Sequence, residues 1–428
     1  MANSFTKEEK VAFDELLEGF QDALVLSNNV SIYNTDQTQM ERTNNTIWRP
    51  QPYIAVSYNG TDMTANFDDY TQLSVPANIG ISKAVPWQMT ALELRDALHE
   101  GRLYDAAKQR LASDINIAVM NVAAYQGTLF VKRTAAASGF DDVAQAESMM
   151  NEQGISGDDR YLALSTRDYN GMASNLQAVT RSYGNDISDS ALRRAFVGNV
   201  ASFQTYKLDY AVRKAAAAGS SITMSTLASA GQSYVPKATT VAATGEVSNV
   251  DNRFQTISVN STTSVAAGDA FTIANCEAVH HITKQSTGVL KTFRVISVPS
   301  STTLVISPPI IANQGGTDAE AQYQNCTFTA TASNAAITFL NTTAGALNPF
   351  WHKDCIEILP GRYAIPTDAG AAVMRASTDQ GIELTMSKQF DVKTLKTLFR
   401  VDMVFGVVNK QPQMTGVMMF SQSGAAFP

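Results

Sequence analysis

The stretch from Thr90 to Gly127, TALELRDALHEGRLYDAAKQRLASDINIAVMNVAAYQG, constrains this chain most, because it reads as one long helix that the rest must pack around. Thr90 can cap the first turn while Glu93 reaches back to it, Met89 and Leu94 are placed as a hydrophobic staple, and Gly127 supplies the stop. Tyr104, Ala107, Leu111, Ile115, Ala118, Val122 and Tyr125 recur at helical spacing and stripe one face, leaving Arg102, Asp105, Gln109 and Asn116 mostly on others. From Arg102 to Gln126 such a helix is roughly 37 Å long at about 1.5 Å per residue, so it reads as a spine. Gly101 lies inside the pattern, and a bend or a split is expected there.

A chain of 428 residues exceeds one ordinary core and predicts about two or three domains. With 44% hydrophobic and 17% charged residues it must pack as a globular protein. The formal net charge of -7 argues against wholesale neutralisation of a nucleic-acid backbone, although local basic patches remain open. Cys276, Cys326 and Cys355 are widely spaced and odd in number, which fits free thiols in a reducing compartment. The N-terminus lacks a signal-peptide core, and no run approaches the ~18 apolar residues that span a bilayer, so the expectation is a soluble protein with no membrane partner, cytoplasmic when made.

The motifs of common enzyme chemistry are missing from the sequence: no Walker loop, G-x-G-x-x-G, G-x-S-x-G or H-E-x-x-H. Of the four histidines, His280 and His281 are adjacent on an apparent strand, where they point to opposite faces and cannot easily share a metal. Asp68-Asp69 and Asp158-Asp159 read as solvated turn carboxylates more than as an acid-base pair. Trp48, Trp87 and Trp351 fit core anchors and contact residues equally well. The expectation is a protein that is not an enzyme and uses no cofactor or metal.

In chain order, a capping box at Thr6 and Glu9 opens an amphipathic helix with Phe13, Leu16, Leu17, Phe20 and Leu24 on one face. Polar text from Asn28 to Arg42 reads as a linker, which favours an arm reaching a neighbour over a helix docked on its own domain. Thr46 to Ile79 predicts a long hairpin, and Pro50, Pro52 and Pro76 make it stand off the body with a polar tip. After the spine come a helix over Phe140 to Gln153, a buried strand over Arg160 to Ser165, a helix capped by Ser165 and Asp168, and another from Ser188 or Asp189 through Phe196. At about Ile222 the text turns to Thr, Ser and Val, with strands at Phe254 to Val259, Ala270 to Ile273, Leu290 to Val298 and Thr303 to Ser307. Their even spacing predicts a small all-β barrel or sandwich inserted in another domain. The strand Cys355 to Leu359 and alternation through Ile382 to Met386 and Phe399 to Phe405 close the chain, with the spine as the face these strands bury against.

This order resembles that of the major capsid proteins of tailed phages with the Hong Kong 97 fold. Asn45 to Trp48, SVPANIG at Ser74 to Gly80, LELRD at Leu92 to Asp96, VDNRF at Val250 to Phe254 and NPFWHKDCIEIL at Asn348 to Leu359 are similar to coat proteins of P-twenty-two-like podoviruses. The resemblance implies an α+β capsid fold with an N-terminal arm (1–44), an E-loop hairpin (45–80), a peripheral domain (81–135 and 378–428), an axial domain (136–222 and 344–377) and an inserted β domain (223–343). It implies a shell of hexamers and pentamers around packaged double-stranded DNA, a separate scaffolding protein, a portal protein, and assembly in the bacterial host cytoplasm. By the same resemblance, the roughly 45 residues before the hairpin are expected to be too few for the fused scaffolding segment that some relatives carry.

Candidate contacts to neighbouring subunits are Trp48, Arg49, Tyr53, Asp62, Asp68 and Asp69 on the hairpin and Glu246 on the insert. Relatives carry several charges on the insert's contact loop, whereas Thr240 to Asn249 carries only Glu246 here. A tail or tube subunit, and a carbohydrate-binding or hydrolase module in the β insertion, are the other readings.

Overall fold

The computed structural model describes residues 7–23, 26–33, 45–64, 67, 69–90, 93, 97–180, 198–208, 210–224, 232–329, 334–364, 370–378 and 381–427. The fold is mixed α+β, and the chain divides into two compact units. One comprises Met1–Ile47, Pro76–Met120 and Ile356–Val408; the other comprises Trp48–Val75, Asn121–Cys355 and Asn409–Pro428.

In the first unit the expected alternation of apolar side chains builds a sheet. Its strand order is Ser31–Ile32, Ile356–Pro360, Lys396–Asn409, Glu383–Asp391 and Ala372–Ser377, and Ile81–Thr90 pairs with Lys396–Asn409. Leu384, Met386, Val401, Met403 and Phe405 are fully buried, which supplies the free energy for holding long strands in register. Phe399 pairs with Trp87 on one side and Lys388 on the other. The Trp87 ring stacks on Phe399 with centroids 5.7 Å apart, and Tyr104 of the spine meets Trp87 edge-on at 5.4 Å. Trp87 of Ile81–Thr90 thus stands between Tyr104 of the spine and Phe399 of the returning strand.

Two expectations for the N-terminal residues are corrected. The first helix, α1 (Lys7–Ala23), buries Phe13 and Leu16 and pairs Glu9 with Lys388, so it docks on its own unit. Residues read as linker form a short helical turn, Ser27–Asn29, and the strand Ser31–Ile32, which runs parallel to Ile356–Pro360. The Ser31 hydroxyl donates to the Ile356 carbonyl at 2.9 Å. Polarity concealed this strand, because two residues are too few to show periodicity.

The spine is α2, Ala97–Gln126, continuous through Gly101, so the expected split is absent. The Thr90 amide donates to Glu93 Oε2 at 2.8 Å and the Glu93 amide to Thr90 Oγ1 at 3.3 Å, but Thr90 ends the strand Ile81–Thr90 and the helix begins at Ala97, later than expected; Leu94 of the expected staple lies outside the described residues. Tyr104, Ala107, Leu111 and Ile115 are buried as expected, but Ala118, Val122 and Tyr125 are half-buried, and Val119, Met120, Ala123 and Ala124 are buried in their place. The expected stripe repeats every seven residues, and a straight helix drifts by about 20° per heptad relative to that repeat. Asn116 consequently joins the buried side. The helix stops before Gly127, where a Cβ would lie 2.8 Å from the Ala123 carbonyl oxygen; close packing requires this glycine.

The second unit holds two six-stranded sheets. In the first, the order is Leu129–Lys132, Thr415–Met419, Asn348–His352, Arg160–Ser165, Phe203–Leu208 and Asn199–Val200. Helices α3 (Phe140–Glu152) and α4 (Thr166–Thr180) share its core through Val143, Met150 and Met172, with Leu162, Leu164 and Phe350 from the strands. The helix read over Ser188 or Asp189 to Phe196 lies outside the described residues.

In the second sheet, which falls within the stretch expected as an insert (223–343), the order is Gln255–Ser258, Thr303–Ser307, Ser286–Ser300, Ala270–Val279 and Cys326–Phe328, with Ile337–Phe339 also on Ala270–Val279. All its pairings are antiparallel, and Ile257, Phe271, Ile273, Phe293, Val295, Leu304 and Ile306 fill its core. On the other face of Ser286–Ser300, Arg294 donates to the Ala124 carbonyl at the end of α2, and Thr292 donates to the Thr128 carbonyl at 2.7 Å. A cation at a helix C-terminus satisfies an orphan carbonyl and opposes the helix dipole.

Candidate assembly surface

The hairpin starts as expected and then departs from a ladder. Thr46–Pro50 pairs with Ser74–Asn78, and the Gln51 amide donates to the Leu73 carbonyl at 2.9 Å. Beyond this base the described residues of 52–72 form no strand, as Pro50 and Pro52 dictate by removing donors.

The hairpin was expected to stand clear, but its returning limb is docked on α5 (Asp318–Tyr323). Gln322 Nε2 donates to the Asp69 carbonyl at 2.8 Å, the Thr71 amide donates to Gln322 Oε1 at 3.2 Å, and the Tyr323 hydroxyl donates to the Thr71 carbonyl at 2.9 Å. Leu73 packs with Ile311 and Tyr323, against half-buried Ile54 and Tyr234. Asx and amide side chains can satisfy an extended limb without a partner strand, and no periodicity announces such pairing.

The candidate residues therefore separate. Trp48 and Arg49 are half-buried at the base. Tyr53 is exposed and meets exposed Tyr70 edge-on at 6.4 Å. Asp62 is exposed and accepts from the Thr64 hydroxyl at 2.5 Å and the Thr64 amide at 3.1 Å; these bonds hold its carboxyl below the usual range. Asp68 lies outside the described residues, while the Asp69 backbone amide donates to Asp318 Oδ2 at 3.2 Å and the residue is exposed. Sequence reading passed over Phe67, which is 87% exposed. An aromatic side chain left in water on an acidic limb was the available signal.

A second extension is a two-stranded ribbon, Thr239–Val241 with Val247–Asn249, in which Val241 pairs with Val247. Every residue from 239 to 249 is exposed, including Glu246 in the turn, and Gly245 takes a positive φ of 84° that suits glycine there. Sequence reading gave no strand here, because a two-sided exposed ribbon has no buried face to impose alternation.

The VDNRF residues anchor this ribbon. Asn252 is buried; its Oδ1 accepts from the Tyr234 hydroxyl and the Lys237 amide at 2.9 and 3.0 Å, and its Nδ2 donates to the Lys237 and Val250 carbonyls at 2.8 and 3.1 Å. Arg253 pairs with Asp251 at 2.7 Å and donates to the Asn409 carbonyl at 2.9 Å.

The NPFW residues hold the other sheet of this unit. Asn348 accepts from the Ser165 amide at 2.7 Å and donates to Asp168 Oδ2 at 2.9 Å and the Met418 carbonyl at 3.3 Å. Ser165 donates to the same Asp168 oxygen at 2.7 Å, so the predicted cap of α4 is tied to a strand. Trp351 is a core residue, 1% exposed, stacked near Tyr161.

The sites read as chemically inert are structural too. His280 and His281 sit in a turn after Ala270–Val279, which corrects the strand reading; His280 Nδ1 accepts from the Ile282 and Thr283 amides, both at 3.2 Å. Burial first, then the nearby Lys291 charge, pushes His281 down to about 3. Burial also pushes the Cys355 thiol up to about 12. All three cysteines are free and buried. Among the described residues no three His, Cys, Asp or Glu side chains converge as a metal site, and no helix is long and apolar enough to cross a membrane.

The arrangement is two exposed extensions fixed at their bases by buried polar hubs, a geometry suited to contact with other molecules. The family model for P22 coat protein, gene protein 5, matches residues 1–421. Among solved structures, the chain is similar to the capsid of cyanophage P-SCSP1u at 10% identity, over 92% of this chain and 86% of that one, with a TM-score of 0.43. The mature capsid of bacteriophage PhiM1 gives 10% identity, 92% and 86% coverage and a TM-score of 0.43. The CUS-3 coat protein I-domain is 41% identical over 29% of this chain and 99% of that one, with a TM-score of 0.22. Because the family model spans nearly its whole length, this chain belongs to the P22 coat protein family.

Proposed function

We infer that this coat protein, a major capsid protein of a phage virion, builds its shell by presenting the hairpin tip and the insert ribbon to neighbouring copies. The observation that carries this reading is the contrast between base and tip. Gln51, Leu73, Asn252 and Arg253 are committed within the chain, while Phe67, Val241 and Val247 are 87%, 65% and 62% exposed. Exposed apolar side chains on rigidly based extensions favour burial against a second surface.

In this reading the copies form hexamers and pentamers of a closed icosahedral shell, assembled in the host cytoplasm with a separate scaffolding protein to choose curvature and a portal at one vertex. Double-stranded DNA is enclosed without sequence-specific binding, in keeping with the net charge of -7. The protein acts by assembly and not by catalysis. The ribbon contact is chiefly apolar, since Glu246 is the sole ionic residue from 239 to 249. The test is assembly of Phe67→Asp and Val241→Asp chains, followed by size-exclusion chromatography at low and high salt. Folded subunits that no longer form large assemblies are expected at both salt levels; assemblies equal to the parent's would overturn the reading.

A further inference from the structure

Within the second unit, a cavity of about 220 Å³ lies between the base of the hairpin, the insert and the Pro412–Met414 turn. Ile54, Leu73, Pro309, Ile311, Pro412 and Met414 form much of its wall, from segments far apart in sequence. Pro52, Pro308, Pro309 and Pro412 all face it, and proline offers no N–H to a ligand.

Five polar side chains at its edge, Gln51, Tyr323, Asn252, Arg253 and Gln413, are already engaged. Gln51 Nε2 donates to the Lys410 carbonyl at 2.7 Å, and the Tyr323 hydroxyl donates to the Thr71 carbonyl at 2.9 Å. Asn252 fills its amide oxygen and nitrogen with four bonds, and Arg253 is shared between Asp251 and the Asn409 carbonyl. Gln413 Oε1 accepts from Lys291 Nζ at 2.9 Å. His281, held neutral by burial, adds no charge to the wall. A charged or strongly polar ligand would shed its water here without compensation, which is costly. An uncharged apolar ligand meets no such penalty, and dry apolar cavities of about 150 Å³ accept benzene.

We propose that this cavity is a binding site for a small uncharged apolar molecule, about the size of a single aromatic ring or an indole. Such a ligand touches the hairpin base, the insert and the turn at once, so it binds only the assembled unit and stabilises it by mass action.

The test uses the full chain with fluorobenzene as the probe, followed by fluorine NMR, and fluorobenzoate as the charged counterpart. Ile311→Phe and Ile54→Phe fill the space from opposite walls, and the second, at a half-buried position, guards against misfolding of the first. The proposal expects saturable binding of fluorobenzene, weaker by roughly tenfold or more in each folded variant, and none of fluorobenzoate. No saturable binding up to the solubility of the probe, undiminished binding in the filled variants, or equal binding of fluorobenzoate overturns it. Binding by the free subunit that vanishes on assembly would give the cavity to a segment of a neighbouring copy, and would overturn it as well.

Discussion

Phe399 lies directly across the strand pair from Trp87, with ring planes 10° apart, and carries Lys388 Nζ 5.6 Å above its own ring. Lys388 in turn pairs with Glu9 of α1, and Trp87 meets Tyr104 of α2. One row of side chains therefore joins both helices of the first unit to its sheet. Replacing Phe399 by Ala removes the middle of that row and leaves a cavity beside a residue 1% exposed. The expected loss is about 3 to 5 kcal/mol of unfolding free energy, read by denaturant melts with tryptophan fluorescence. A loss within experimental error of zero would mean that the row is not packed as described.

Asn348 joins the strand Arg160–Ser165, the cap of α4 and the strand Thr415–Met419 through three hydrogen bonds. Asn348→Ala strands the buried Ser165 amide and should cost about 1 to 3 kcal/mol. Asn348→Asp places a second carboxylate against Asp168 and should be worse at neutral pH and partly restored in acid, where it can be protonated. Melts at the two pH values check the order; an Asp variant as stable as the parent at neutral pH would refute it.

Acid sensitivity should include His281. Its folded pKa, pushed to about 3 from 6.5 by burial and by the charges of Lys291, Lys284 and His280, means the unfolded chain binds a proton first. Stability therefore falls as pH drops from about 6.5 toward 3 and is unaffected by this group above that window. His281→Gln should move the midpoint of acid unfolding to lower pH without changing stability at neutral pH. An unchanged acid midpoint would contradict this.

Much of the fold was legible where a buried face imposes a period. The strand Arg160–Ser165, the alternation from Phe399 to Phe405, and the cap at Ser165 all appear where the residues placed them. Contacts made by single polar groups were not legible. Nothing in the text of Asp69 to Thr71 announces Gln322 and Tyr323, about 250 positions away, because an amide or a hydroxyl can serve any backbone group within reach. The candidate surface divided along the same line. The exposed tip residues Tyr53 and Asp62 were visible as polar hairpin text, whereas the docking of Asp69 and the exposed ribbon around Val241 depend on partners or on their absence. Likewise VDNRF and NPFW stand out in the sequence, but their role as buried hubs rests on partners far along the chain, such as Asn409 for Arg253 and Ser165 for Asn348.

The central claim is that many copies of this chain close into a shell, and electron micrographs of purified particles test it most directly. Expressed with a separate scaffolding protein, the chain should give closed round shells of uniform size; expressed alone, it should give a mixture of small and aberrant shells. Open tubes, or subunits that stay monomeric under both conditions, would contradict the account.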